Sequence, residues 1–177
     1  MTGLIIAYNG ILPTIAGDAF IAHTATVIGD VVIGAKTGVW FGCLLRGDVR
    51  EIRVGERTNI QDGTIVHVTK GKSGTYIGSD ITIGHGAIIH ACTLQDGCFV
   101  GMGATVMDGV VVESGAMVAA GALVTPGKVV KKGELWAGSP AKFLRPLTAK
   151  ELAFFPESAS EYAKLAEDYM LYPLGKS

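Results

Sequence analysis

The chain has 177 residues, enough for one domain with a substantial core and a short appendage. With 49% hydrophobic residues, 18% charged residues and a formal net charge of −1, it lacks the basic face that nucleic-acid binding needs. No apolar run approaches the roughly 20 residues of a bilayer-spanning helix, and residues 1–10 have neither the basic start nor the apolar core of a secretory signal, so a cytoplasmic location is expected.

From Ile21 onward an aliphatic residue returns every six positions: Ile21, Val27, Ile33, Val39, Leu45. The series resumes at Val54, Ile60, Val66 and at Ile77, Ile83, Ile89. After one five-residue step it runs through Leu94, Val100, Val106, Val112, Val118 and Val124. Four positions after most of these stands a small or β-branched residue, such as Ala25, Thr37, Cys43, Ala87, Cys98 or Ala104. A helix would need apolar spacings of three and four, so this period excludes it. One large and one small inward residue per six suits a short strand and a turn, and three such units close a triangular coil of about 18 residues. The 25 glycines, interspersed with Val, Ile and Ala, serve the corners. The period predicts an all-β solenoid of parallel strands over residues 1–135 and explains Cys43 and Cys98 as its small inward residues. An odd count of three, with Cys92, describes no disulfide framework, and free cysteine is commonly buried.

Residues 136–177 read as a turn over 136–142 followed by helix that packs on the solenoid. Thr148 and Glu151 form a capping box, Pro156 is expected to interrupt the helix, and a second helix is expected over 157–171 with Tyr162, Leu165, Ala166 and Tyr169 on its apolar side.

Every third hexad shares a wall of the triangle, so Leu45, Val66 and Ile89 stack. The residues following them, Arg46, His67 and His90, therefore form a column with neighbours about 4.8 Å apart. Two imidazoles at that separation can converge on one ion at metal–nitrogen distances of about 2.0–2.1 Å. On the adjoining wall Asp62 and His85 stack, with Gln61 beside them. His85 reaches such an ion with difficulty inside one prism and easily across a three-fold interface. The long steps from Leu45 to Val54 and from Val66 to Ile77 add residues at one corner that could rim a site, while His23 reads as surface.

The segments Arg46-Gly47-Asp48, Asn59-Ile60-Gln61-Asp62-Gly63, His67, Gly84-His85 with His90 five residues on, and Gly138-Ser139-Pro140-Ala141 together resemble the gamma-class carbonic anhydrases and their carbonic-anhydrase-like relatives. The resemblance implies a left-handed parallel β-helix with a C-terminal α-helix, assembled as a homotrimer with three interfacial metal sites. His67 and His90 would come from one subunit and His85 from the next, holding Zn(II), or Fe(II) or Co(II) according to supply. Arg46, Asp48 and Asp62 would support the interface, Arg46 pairing with Asp62 across it. Gln61 would orient a metal-bound hydroxide, and Tyr162 would reach the site from the helix. The implied reaction is reversible hydration of CO2 to bicarbonate. The chain departs from the family archetype at Val49, where a glutamate stands, and in the short basic stretch 68–73, which lacks an acidic proton shuttle. Two other readings stay open. One is coenzyme A-dependent acyl transfer or thioester hydrolysis by a histidine base, as in other hexapeptide-repeat proteins. The other is a catalytically weak trimeric scaffold with an idle metal site.

Overall fold

A computed structural model describes residues 3–171. They form a parallel β-solenoid of about seven turns with one helix after it. The six-residue period sets the three walls. On the first, Val27, Leu45, Val66, Ile89, Val106 and Val124 pair rung to rung and are all fully buried. On the second stand Ile21, Val39, Ile60, Ile83, Val100 and Val118. On the third stand Ile33, Val54, Ile77, Leu94, Val112 and Val130. Each inward aliphatic thus lies on the one a coil below, and interior burial of these columns is the main source of stability. The three cysteines are buried, and desolvation pushes the thiols of Cys43 and Cys92 up to about 12 and that of Cys98 up as well, so none is a ready nucleophile.

The two long steps are built differently. Leu45 to Val54 is no loop: Leu44–Val54 is one continuous strand that rounds the corner on Thr26–Ile33. Val66 to Ile77 carries a true loop, closed by a bridge between Thr69 and Ser73.

The turn read over 136–142 contracts to Ser139 and Pro140. Glu134–Gly138 is the last parallel rung, and Ala141–Pro146 folds back on it antiparallel. The capping box forms, with the Thr148 amide donating to Glu151 Oε2 at 2.8 Å and the Glu151 amide to Thr148 Oγ1 at 3.3 Å. Pro156, however, does not interrupt the helix, which runs unbroken over Ala149–Leu171. A mid-helix proline costs about 3 kcal/mol. Packing on either side of it holds the chain helical: Phe155 stacks on Phe99 at 5.1 Å, and Ser158, Ala159 and Ala166 are buried. The helix runs back along the second wall towards the first coils, where Tyr162 and Tyr169 meet Trp40. Leu165, expected on the apolar side, is exposed, because the helix turns the face with Phe155, Ala159 and Ala166 to the solenoid. No helix among the described residues is long and apolar enough to cross a membrane.

Candidate metal centre

His67 and His90 end the strands Ile65–His67 and Ile88–His90, which pair in parallel with His67 opposite His90. Because Val66 and Ile89 point inward, both imidazoles point outward from the first wall. His67 Nδ1 and His90 Nε2 face each other at 3.2 Å. Two nitrogens on one tetrahedral ion at about 2.0–2.1 Å stand about 3.3 Å apart, so the separation of this pair matches that of two ligands of one divalent metal.

The outer nitrogens are held by carboxylates. His67 Nε2 lies 3.1 Å from Asp48 Oδ1, and His90 Nδ1 lies 2.6 Å from Asp108 Oδ1. An ionised carboxylate only accepts, so each outer nitrogen is the one that carries hydrogen and each inner nitrogen presents a lone pair when its ring is neutral. Two lone pairs facing at this distance repel unless a cation lies between them. Desolvation, the largest influence on His67, holds its imidazole below the ordinary range and keeps it in the neutral, ligating state. At Asp48 partial burial raises the carboxyl, but bonds from Arg46 and His67 outweigh this and leave it low. Asp108 is likewise held low, first by the Thr69 hydroxyl and then by His90.

The adjoining wall carries the rest. His85 Nδ1 lies 2.9 Å from Asp62 Oδ2, so the third histidine also has its own carboxylate. Half of the His85 side chain is exposed, on the outer surface of the corner. Among the described residues no three His, Cys, Asp or Glu side chains converge on one point within a single chain. The sequence-derived column is thus present as His67 and His90, while His85 stands apart. Arg46 pairs with Asp48, and Asp62 with His85, so the expected Arg46–Asp62 pairing has no counterpart inside one chain. Gln61 is buried and donates through Nε2 to Asn59 Oδ1 at 3.1 Å. Asn59 Nδ2 donates to Thr82 Oγ1 at 2.9 Å, and Thr82 bonds Ser158 of the helix at 2.9 Å. Tyr162 packs edge-on to Trp40 at 5.6 Å. Its phenol is pushed up by burial first and by the charge of Asp62 second.

Comparison with models of known protein families finds no match. Among curated proteins, a probable carbonic anhydrase of Methanocaldococcus jannaschii is 42% identical over 158 residues, covering 89% of this chain and 99% of its own. Gamma carbonic anhydrase 2, mitochondrial, of Arabidopsis thaliana is 53% identical over 160 residues, 88% of this chain. The chain belongs to the gamma-class carbonic anhydrase family. It spans only 58% of the length of that plant relative. A solved structure of a hexapeptide transferase family protein from Anaplasma phagocytophilum superposes with a TM-score of 0.91 at 51% identity, covering 96% of this chain and 99% of that one.

Around this candidate site, sequence reasoning gave no role to Asp108, Thr69, Asn59 or Ser158. Asn59 is the most testable. Asn59→Ala leaves the buried Gln61 amide and Thr82 hydroxyl short of a partner, at an expected cost of about 1–3 kcal/mol. Chemical denaturation should show this loss with bound metal per chain unchanged. A denaturation midpoint equal to that of the unaltered protein would mean the network carries no stability.

Proposed function

We propose that the chain is a gamma-type carbonic anhydrase, cytoplasmic and homotrimeric, hydrating CO2 reversibly at an ion shared between subunits. His67 and His90 of one subunit and His85 of the next would hold the ion. The observation that carries this is the facing pair of inner nitrogens at 3.2 Å, each made a lone-pair donor by a carboxylate behind it. A three-imidazole set suits Zn(II), and Fe(II) or Co(II) as well. The exposed Ile65 and Ile88 lie one pleat repeat before His67 and His90 on the same outward face, so an apolar patch borders the pair where a neighbouring subunit would cover it.

When bound, an ion of this class would lower the pKa of water towards neutrality and so supply a nucleophile at neutral pH. The protein's own part is orientation and exclusion. Gln61, locked by Asn59, would offer its amide to orient the attacking oxygen, and Tyr162 would approach the site from the helix. Asp48 holds His67 and is itself held by Arg46. Val49 and the loop 68–73 offer no acidic shuttle, and Asp48, Asp62 and Asp108 are each engaged by a histidine, so we expect the proton of the net reaction to leave to buffer.

Stopped-flow CO2 hydration by protein prepared without oxygen and loaded with Zn(II) or Fe(II) tests this. Activity should vanish with a chelator, return with metal, and rise with buffer concentration. Hydration no faster than the uncatalysed rate with one metal bound per chain would sink the reading. Acyl transfer from coenzyme A that survives chelation would favour the alternative, which draws support from the hexapeptide transferase relative.

A further inference from the structure

We infer that Asp108 is a positioning residue for His90: it fixes the imidazole in its Nδ1–H tautomer, aims Nε2 at the His67–His90 gap, and ties that orientation to the loop 68–73. The inference rests on the reading of this histidine pair as metal ligands. Asp108 stands on the next coil of the same wall, two residues past Val106, which pairs with Ile89. One carboxylate oxygen meets His90 Nδ1 at 2.6 Å, and the other accepts from the Thr69 hydroxyl. The neighbouring backbone pins this corner on both sides. The Gly109 amide donates to Ala91 O at 2.8 Å, and the Gly127 amide to Asp108 O at 2.9 Å. Thr69 is in turn held by its bridge to Ser73.

A carboxylate with both oxygens engaged and its backbone fixed has little freedom to turn. Facing only acceptors, His90 places its hydrogen on Nδ1 and leaves Nε2 bare. Without Asp108 the ring is free to flip or to take the other tautomer, which would put a hydrogen into the gap and oppose an ion there. Outer partners of this kind typically change metal affinity by about 10–100-fold. The contact to Thr69 adds a mechanical consequence: the loop beside the pair is latched by the same carboxylate that orients the ligand, so loosening one loosens the other.

The test uses the full chain as Asp108→Ala and Asp108→Asn, with thermal unfolding and particle mass confirming the fold. Long-range 1H–15N spectra of the metal-free protein, which has only four histidines, report the tautomer. His90 should be fixed as Nδ1–H in the unaltered protein, a mixture in Asp108→Ala, and largely restored in Asp108→Asn, whose amide oxygen still accepts. Zn(II) affinity by chelator competition should fall about 10–100-fold in Asp108→Ala and less in Asp108→Asn, with a shifted Co(II) absorption spectrum. An unchanged His90 tautomer in Asp108→Ala overturns the inference, as does Zn(II) affinity within about twofold of the unaltered protein. If the unaltered protein takes up no metal yet shows a tautomer that depends on Asp108, the positioning role stands and the metal reading falls.

Discussion

Mixed in equal amounts and refolded together, His85→Ala and His90→Ala chains should recover about one quarter of the unaltered protein's CO2 hydration, although each alone is inactive. In the proposed cyclic trimer every site would take its pair from one subunit and its third histidine from the neighbour in a fixed direction. A site is complete only where the His85→Ala chain supplies His67 and His90 and the His90→Ala chain supplies His85. Random mixing puts each kind in each role half the time, giving about one site in four. Each variant alone should lose more than about 100-fold, because partners one shell further out already cost about 10–100-fold. The geometry makes the test sharp: His67 and His90 converge at 3.2 Å, while His85 sits on the adjoining wall bonded to Asp62. If mixing restores nothing, and mass analysis shows that hybrids formed, the site is not shared. If either variant alone keeps full activity and full metal content, that histidine is no ligand.

The reason the His67–His90 pair was legible without coordinates lies in the inward residues. A parallel rung is registered by burying one aliphatic on another, here Val66 on Ile89, and anything one residue beyond inherits that register. The same logic located Asp62 beside His85, through Ile60 on Ile83. Asp108 escaped it because it stands two residues beyond Val106, past the end of the strand Thr105–Val106, where the chain has begun to turn and rung register no longer predicts contacts. Only the side-chain geometry shows that the second position of one coil meets the first position of the coil before. Ser158 escaped for a related reason: its bond to Thr82 joins positions 76 residues apart across the helix–sheet contact, and no period links them. The helix through Pro156 marks the opposite failure. There a sound local rule predicted a break, and burial of Phe155, Ser158 and Ala159 against the second wall overrode it. What the six-residue period encodes is thus the scaffold and whatever side chains it carries at fixed offsets; the supports that cross between coils and helix follow from packing alone.

The scaffold itself predicts the second large effect, at Gly84, which immediately precedes His85. A Cβ there would stand 2.5 Å from the Met102 amide nitrogen and 2.9 Å from the Gly101 carbonyl carbon. Both are backbone atoms of the next coil, so no side chain can swing away to make room. The Gly84 amide donates to Val100 O and the Gly103 amide to His85 O, each at 2.8 Å, and a larger residue must stretch this ladder to fit. Rungs are about 4.8 Å apart and close-packed, so Gly84→Val is expected to cost about 3 kcal/mol, the upper end for overpacking. For a chain of this size that lowers the thermal midpoint by about 6–12 °C at fixed protein concentration. Gly17→Val is the matching control. Nothing lies within 4 Å of a Cβ at Gly17, and its backbone is not left-handed, so the same substitution should stay within about 0.5 kcal/mol. Calorimetry on the two variants separates close approach between coils from a general intolerance of valine in place of glycine. Equal midpoints would refute the steric account. A large drop at Gly84 alone, with metal binding lost at temperatures where the coils stay folded, would show that the spacing of two backbones also sets where His85 stands.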